Sequence, residues 1–416
     1  MRVCIHRGTK QIGGTCIEIE AQGKRIVLDI GLPLDAGEHD DPAALVPPVP
    51  GFREPDPSLL GVVISHPHQD HYGLIQHIRS DIPVLIGAAA TRILATAADF
   101  IPSSVKLSNT IPLADRNPIT QGPFTITPYL MDHSAYDAYA MVIEADGKRL
   151  FYSGDLRGHG RKSTFFDELV RNPPPRIDAL LLEGTTIGRT NTDRGFATES
   201  DLEEAFLAAF GSTPGLAMVW ASGQNFDRLV TVFRASKRAG RRFIVDLYTA
   251  AMLAATGNEH VPQSDWPEVS VFVPRWQRVK IKTSERFDLL RPHHAHRIYP
   301  EQFAELASSY VLLFRPAMSR ELEQANCLSG ARLQYSMWEG YLGEERMQPT
   351  LGWLKTKEIS VETIHSSGHA SVADLKRLAR SMRPKALVPI HSFHTGSYPE
   401  LFENVTPKQD GVWWDV

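Results

Sequence analysis

The chain has 416 residues, more than one ordinary hydrophobic core accommodates, so we expect two domains or one large domain with an insertion. Hydrophobic residues make up 42% and charged residues 22%, without the run of about 18 apolar residues that a membrane-spanning helix requires, which predicts a soluble protein with no membrane partner. The formal net charge of −4 argues against sequence-indifferent binding of nucleic acid through global charge, so such a ligand would need a local basic groove.

The start of the chain and its cysteines restrict the compartment and the metal chemistry. Residues 1–10 lack the apolar region and cleavage site of a secretory signal, so we expect a cytoplasmic protein. Cys4, Cys16 and Cys327 are widely spaced and provide neither a disulfide framework nor a CxxC zinc site. Any metal must therefore be held by histidine and carboxylate side chains.

The first part of the chain is predicted to form short strands separated by glycine and proline. Residues 16–20 and 25–29 predict a β-hairpin, and residues 61–65 predict an apolar strand that ends in histidines. Further strands are predicted at residues 124–130, 139–144, 148–153 and 179–183. The segment 35–57 is predicted to be a long surface loop near the site.

Beyond Gly184 the pattern changes to helices that alternate with short strands, which predicts a separate α/β unit. Helices are predicted at residues 199–210, 226–239 and 321–327, and strands at 217–221, 243–246 and 311–314. The first pattern then returns, with a strand at 359–364, a helix at 371–381 and a strand at 386–390. We therefore expect an α/β fold in which residues 1–195 and 351–416 form one domain and residues 196–350 form an insertion.

The strongest chemical signal is the run Ser65-His66-Pro67-His68-Gln69-Asp70-His71, an HxHxDH array directly after a predicted strand. Two histidines spaced by one residue, then an aspartate and a histidine, can face two cations from one tight loop. The alternative is a polar loop with chance histidines. We favour the metal site because four ligand-type side chains fall within six residues.

Further ligand-type residues follow other predicted strands, namely His133, Asp155 and His391. A carboxylate at the position of Asp155 can bridge two metal ions. Asp29 also ends a predicted strand, and we expect it to orient a ligand histidine rather than to bind metal itself.

This order of residues resembles the metallo-β-lactamase superfamily, to which the HxHxDH array in this order is highly specific. The resemblance implies an αββα sandwich that binds two divalent ions, with zinc expected and manganese or iron as alternatives. It implies that one ion is held by His66, His68 and His133, and the other by Asp70, His71 and His391, with Asp155 between them.

The later motifs look like those of the β-CASP nucleases, which include ribonuclease J and the cleavage-and-polyadenylation endonuclease. Glu183 before the insertion, His369 in Ser366-Ser367-Gly368-His369-Ala370, and His391 match the family's three positions in order. The resemblance therefore covers nearly the whole chain. RNA-cutting members carry a histidine at the position of His391, so it also implies RNA as the substrate.

The expected catalytic residues are Asp70, His369 and Glu183. His369 could donate a proton or hydrogen bond to the scissile phosphate while Glu183 holds its ring, although a core histidine is the alternative. Small residues beside His369 could let backbone NH groups approach a phosphate. A serine that precedes the predicted helix at residue 226, together with nearby NH groups, could also bind a phosphate. These candidates are Ser366, Ser367, Gly368 and Ser222, and for Ser222 an ordinary helix N-cap explains the sequence nearly as well.

Several basic residues and histidines are ambiguous. Basic residues of the insertion are expected to be solvated, namely Arg234, Lys237, Arg238, Arg241 and Arg242, and Arg275, Arg278, Lys280 and Lys282. Three basic residues soon after Asp155 are expected to contact the substrate backbone: Arg157, Arg161 and Lys162. A cluster without a nearby carboxylate is expected to be surface loop: His293, His294 and His296.

The chain departs from ribonuclease J after His391, where it has Ser392-Phe393-His394 instead of Gly-Glu, and it ends near Val416. We therefore expect a minimal form without the extra C-terminal domain. We predict a ribonuclease that hydrolyses RNA, in single-stranded form, held between the core and the insertion. A small-molecule phosphodiesterase and a non-catalytic RNA-binding or scaffold homologue are the alternatives, and the oligomeric state, including a homodimer, stays open.

Overall fold

The computed structural model describes residues 1–37, 40–189 and 195–416. The chain divides into two compact units. The first unit combines residues 1–196 with residues 368–416, and the second consists of residues 197–367.

The strands are short and fall into three sheets. Those before the second unit are β1 (Arg2–Arg7), β2 (Cys16–Ala21), β3 (Lys24–Leu28), β4 (Leu59–Val63), β5 (Val84–Gly87), β6 (Thr110–Leu113), β7 (Ile119–Gln121), β8 (Phe124–Leu130), β9 (Tyr139–Ala145), β10 (Lys148–Tyr152) and β11 (Ala179–Leu182). Those of the second unit are β12 (Ala217–Trp220), β13 (Arg242–Asp246), β14 (Val269–Phe272), β15 (Arg297–Ile298), β16 (Tyr310–Leu313), β17 (Arg332–Tyr335) and β18 (Ser360–Thr363). The first unit resumes with β19 (Ala386–Pro389) and β20 (Trp413–Asp415).

The helices are also short. The first unit contains α1 (Gln69–Tyr72), α2 (Ala88–Ala98) and α3 (Ser163–Arg171) in its first segment. The second unit contains α4 (Glu199–Ser212), α5 (Phe226–Arg238), α6 (Leu247–Ala255), α7 (Arg275–Ser284), α8 (Pro300–Leu306), α9 (Ser319–Gln324) and α10 (Gln348–Thr356). The last segment contributes α11 (Val372–Met382) and α12 (Tyr398–Leu401) to the first unit. Among the described residues, no helix is both long enough and apolar enough to cross a membrane.

The first unit is a sandwich of two sheets. Their strand orders are β20-β1-β2-β3-β4-β5-β6 and β19-β11-β10-β9-β8-β7. Apolar side chains of alternating strand residues, such as Ile17 of the first sheet and Met141 of the second, fill the space between the sheets. Leu94 of α2 packs on the outer face of the first sheet, and Phe166 of α3 and Leu375 of α11 pack on that of the second. The predicted αββα sandwich is confirmed.

One edge of this sandwich collects the polar strand ends. Strands β10, β11 and β19 run parallel, and β8 has the same direction because both β8 and β10 pair antiparallel with β9. In the other sheet, β3 and β4 are parallel neighbours. The residues that follow each group of strands therefore meet at one edge, as in other α/β enzymes.

The second unit is a parallel sheet with the order β15-β14-β13-β16-β12-β17-β18. Its core includes Met218, Leu312 and Leu333 from neighbouring strands. We expected the insertion to end at residue 350, but β18 pairs with β17 over four residues and belongs to this sheet. The division after residue 367 corrects that boundary, because strand pairing between distant segments is not visible in local sequence patterns.

The predicted surface loop at residues 35–57 has a buried side. Val46, Val49 and Phe52 are 7%, 4% and 1% exposed and pack in the core on the outer face of the first sheet. A short 3₁₀ helix, Pro42–Leu45, precedes them. Part of the predicted loop, residues 38 and 39, lies outside the described residues.

Candidate metal centre

Three histidines from two loops form the first group of potential ligands. One ring nitrogen of each of His66, His68 and His133 lies within 4.8 Å of the others. Nδ1 of His66 lies 3.0 Å from Oγ of Ser65, which leaves Nε2 of the same ring to face the group. Nδ1 of His68 and Nε2 of His133 are 3.2 Å apart, so two lone pairs can converge on one position.

A second group lies beside the first and contains Asp70, His71, Asp155 and His391. Nε2 of His391 is 3.7 Å from Oδ2 of Asp70 and 3.7 Å from Oδ1 of Asp155. Oδ2 of Asp155 lies 3.2 Å from Nε2 of His71 and 3.7 Å from Nε2 of His66, which belongs to the first group. The Asp155 carboxylate therefore lies between the two groups.

Buried polar atoms at this edge lack partners. Nε2 of His66, Oδ1 of Asp155 and Nε2 of His391 are buried, and none has a hydrogen-bond partner among the described residues. Buried polar groups in proteins are nearly always hydrogen-bonded, so each such exception requires a reason. Nitrogen and oxygen lone pairs that converge in this way fit one or more divalent cations.

The electrostatics of the first group and of Asp155 favour the protonation states that metal ligands need. Burial, reinforced by neighbouring histidines, holds the pKa of His66 and of His133 well below the usual value, and burial lowers the pKa of His68 to about 4. Although burial raises the pKa of Asp155, the nearby His391 and His71 hold it well below its usual range. The first group is thus neutral imidazole and Asp155 is anionic near neutral pH.

Asp29 fixes one of these rings. Its Oδ2 accepts a hydrogen bond of 2.7 Å from Nδ1 of His71 and one of 2.5 Å from the hydroxyl of Tyr152. Ser65 donates to both Asp29 oxygens at 2.7 Å, through its backbone NH and its hydroxyl. Asp29 contacts a histidine and not the shared space, which is the geometry expected of an orienting residue.

Thr15 fixes another ring and was missed in the sequence. Its buried Oγ1 lies 3.0 Å from Nδ1 of His391, so Nε2 of that ring faces the second group. His391 has φ +50° and Asp29 has φ +57°, a left-handed conformation that is rare for residues other than glycine and is often found at functional sites. The sequence marked these two residues only by their positions after predicted strands, and their backbone conformation adds an independent structural sign of a functional site.

Two glycines permit the close packing of these loops. A Cβ at Gly31 would lie 1.7 Å from the carbonyl oxygen of Asp70. A Cβ at Gly154, which has φ +52°, would lie 2.9 Å from the carbonyl oxygen of Tyr139. Glycine at both positions therefore lets the loops of Asp70 and Asp155 approach the rest of the site.

His369 and Glu183 form a third group with Asp155. Nδ1 of His369 lies 3.7 Å from Asp155 Oδ2 and 3.8 Å from Glu183 Oε1. Burial alone would lower the pKa of His369, but the two carboxylates raise it to about 9. The other oxygen of Glu183 accepts a hydrogen bond of 2.8 Å from the NH of Thr185, which fixes the carboxylate.

Arg157, one of the three basic residues after Asp155, does not match the expectation of substrate contact. Arg157 is fully buried, and its Nε lies 3.4 Å from Oδ1 of Asp132. The ammonium of Lys162 donates to the carbonyl of Ala135 at 3.0 Å. Arg157 is therefore a structural residue, because burial of its charge requires the neighbouring Asp132.

The three candidate phosphate-binding serines, Ser222, Ser366 and Ser367, lie in the second unit. Ser222 is exposed, and its hydroxyl accepts a hydrogen bond from the NH of Gln224, while Asn225 rather than Ser222 caps α5. The hydroxyl of Ser366 donates to the carbonyl of Ala197 at 2.6 Å. The Ser366 proton is thus already engaged within the second unit.

The histidine cluster of the insertion is partly a packing feature. His293 is 6% exposed and its Nδ1 lies 2.7 Å from Oγ of Ser264, so its assignment to a surface loop was wrong. His296 contacts the carbonyl of Trp266 through Nδ1 at 2.9 Å. Within the described residues, neither histidine belongs to a group that could hold a metal.

Comparison with known proteins agrees with this geometry. Residues 25–219 match the beta-lactamase superfamily domain, and residues 357–394 match the Zn-dependent metallo-hydrolase RNA specificity domain. The second match includes His369 and His391. With the side-chain groups described above, these matches support a divalent-metal site.

The chain is similar to several ribonucleases J. It is 20% identical to ribonuclease J of Helicobacter pylori over 92% of this chain and 55% of that one, and 21% identical to ribonuclease J of Corynebacterium glutamicum over 100% and 58%. Ribonuclease J 2 of Streptococcus pyogenes is 21% identical over 95% of this chain and 69% of that one. The chain thus spans little more than half the length of the first two relatives.

A solved structure has the same fold over its whole length. It is a protein of unknown function from Enterococcus faecalis V583, with a TM-score of 0.80, 20% sequence identity and 99% coverage of both chains. At this identity the likeness concerns the fold alone.

Proposed function

We propose that this chain is a metal-dependent ribonuclease of the metallo-β-lactamase superfamily, in the β-CASP branch that includes the ribonucleases J. The observation that carries the proposal is the position of Asp155, which lies within 3.7 Å of side-chain atoms of His66, His391 and His369. The RNA specificity domain matched by residues 357–394 favours RNA over other phosphodiesters. We propose a cytoplasmic enzyme that acts on single-stranded RNA.

The proposed ligands form two sites that share Asp155. One site consists of His66, His68 and His133, and the other of Asp70, His71 and His391. Two divalent ions, with zinc as the first choice, would polarise the scissile phosphate and lower the pKa of the attacking water. Asp29 and Thr15 keep the rings of His71 and His391 turned toward the sites.

Residues other than the proposed metal ligands would supply the proton and hold the phosphates. His369, whose pKa is raised to about 9, is protonated near neutral pH and can donate a hydrogen bond or a proton to the phosphate as the leaving oxygen departs. Glu183 holds this ring from the side, and its second oxygen is fixed by Thr185. Ser222, Ser367 and the backbone of Gly368 are proposed to bind phosphates of the strand.

The experiment compares cleavage of a 5′-labelled single-stranded RNA and the matching DNA, with zinc or manganese added. We expect the wild type to cut RNA, and Asp70→Ala and His369→Ala to lose cutting. His260→Ala, an exposed histidine of the second unit, is the matched control and should cut normally. The product ladder separates endonucleolytic from exonucleolytic cleavage. A metal-loaded protein that cuts neither polymer would contradict the proposal and favour a small phosphodiester substrate.

A further inference from the structure

The second unit contains a basic stretch with exposed aromatic side chains. Residues 275–299, here called the α7 segment, contain seven arginines and lysines and two acidic residues, in a chain of formal net charge −4. Three of its aromatic side chains are exposed: Trp276 by 39%, Phe287 by 53% and Tyr299 by 50%. An acidic chain thus combines local positive charge with exposed rings.

The helix at the start of this segment has one buried and one exposed face. Gln277 and Ile281, one turn apart, are 1% and 4% exposed and attach α7 to the unit. Trp276, Val279 and Lys282 are exposed, and their spacing of three residues places them on the opposite face. The exposed face therefore presents a ring, an aliphatic side chain and a positive charge along one line.

Several of these charges are not neutralised within the unit. Arg275, Lys282 and Arg291 are exposed, and their side chains have no ion-pair partner among the described residues. The basic residues of α5 differ, because Arg234 and Lys237 each pair with a glutamate, at 3.1 and 2.7 Å. Of the two basic patches that we expected to be solvated surface, the α5 patch thus has more of its charge balanced by carboxylates.

A cleft of about 350 Å³ lies beside the start of α7. Arg275 and Arg278 line one part of it, and Pro300, which follows Tyr299, lines another. The Glu321 carboxylate in this cleft accepts hydrogen bonds from Nη2 of Arg278 at 2.7 Å and from the NH of Arg275 at 2.8 Å, so its charge is largely compensated. The cleft brings the two ends of the α7 segment to one surface.

We propose that the α7 segment is a binding surface for single-stranded RNA, an inference that rests on the proposed function. Exposed aromatic rings stack on unpaired bases without sequence preference, and basic side chains contact the phosphates. A second copy of the chain fits less well, because pairing of the same faces would bring like charges together. An acidic protein would match the charge but would leave the three exposed rings without a role.

The test measures RNA binding apart from cleavage. All proteins carry Asp155→Asn to prevent cutting, and binding of a fluorescein-labelled RNA of twenty nucleotides is followed by anisotropy at several salt concentrations. We expect Trp276→Ala/Lys282→Glu to raise the Kd by about tenfold or more and to reduce the salt dependence of binding, since a stacking partner and a phosphate contact are lost. Lys237→Glu, the same charge reversal in the balanced α5 patch, and Trp276→Phe, which keeps an aromatic ring, should stay within about twofold of the parent.

Crosslinking supplies a second measurement. An RNA that contains 4-thiouridine should crosslink to peptides of residues 275–299 in the parent. Unchanged affinity of the double variant, or crosslinks confined to other peptides, would overturn the inference even if the wild type cuts RNA. A wild type that binds RNA through this segment but cuts none would instead contradict the proposed function alone. A change of mass in sedimentation with unchanged RNA affinity would identify a second copy as the occupant.

Discussion

The two units both collect polar side chains where their parallel strands end, but the partners of those side chains differ. In the first unit, buried atoms of His66, Asp155 and His391 converge without hydrogen-bond partners among the described residues. In the second unit, the buried guanidinium of Arg228 donates to both oxygens of Glu199, at 3.0 and 3.2 Å, and to the hydroxyl of Ser336. The polar edge of the first unit, here called the first edge, thus has unpaired atoms that can bind a ligand. At the polar edge of the second unit, here called the second edge, the charged groups pair with one another.

Arg315, another charged residue at the second edge, also has its partners within the second unit. Arg315 donates to Thr249 Oγ1 at 3.0 Å and to the carbonyl of Ala221, and its Nε lies 3.4 Å from Oδ2 of Asp246. The other oxygen of Asp246 caps α6 through the NH of Thr249. Burial of a charge therefore does not by itself mark a site, and the presence or absence of an internal partner is the better criterion.

The largest effect is expected from Asp155→Asn. The amide keeps the shape of the carboxylate but not its charge, so the two groups lose the anion between them. RNA cleavage should fall by at least about a thousandfold, because a bound metal contributes several kcal/mol to transition-state stabilisation. Rates are measured with zinc or manganese, and bound metal by mass spectrometry. Asp81→Asn, an exposed aspartate, is the control, and full metal content with normal cleavage in Asp155→Asn would contradict the assignment.

Arg228→Met tests the second edge and should affect stability instead of metal content. Loss of the guanidinium leaves Glu199 buried without its partner, which costs about 3–5 kcal/mol of unfolding free energy. Urea denaturation measures this change. Arg238→Met, which removes a half-exposed arginine, should cost less than about 1 kcal/mol. The double variant Arg228→Met/Glu199→Gln should recover part of the lost unfolding free energy. If Arg228→Met lost bound metal without being destabilised, the distinction between the two edges would be contradicted.

The metal ligands and the sandwich of the first unit could be predicted from the sequence because both depend on local patterns. The HxHxDH array, His133, Asp155 and His391 each follow a predicted strand, and the structure brings all seven predicted ligands together. The αββα sandwich could be predicted because alternating apolar residues and a compact motif are local features. Local patterns also located most strands to within two residues of their observed bounds.

Features that depend on distant partners could not be predicted. Arg157 looked available for substrate because its partner, Asp132, lies 25 positions away. The end of the insertion was misplaced because it depends on the pairing of β17 with β18. Among the orienting residues, Thr15 is 376 positions from His391 and has no motif of its own.

Thr15→Val tests the smallest effect, on the orientation of a proposed ligand. Valine has the same shape but no hydroxyl, so Nδ1 of His391 loses its partner at 3.0 Å and the ring can turn its Nε2 away from Asp70 and Asp155. Metal affinity should fall by about 10- to 100-fold, as is typical when the partner of a ligand histidine is removed. Competition with a chelator measures the affinity, and Thr15→Ser should restore it because the hydroxyl returns. Equal metal affinities in the valine and serine variants would show that packing alone orients His391. A loss of metal affinity in the valine variant alone would show that the metal site of the first unit depends on Thr15 as well as on the ligands themselves.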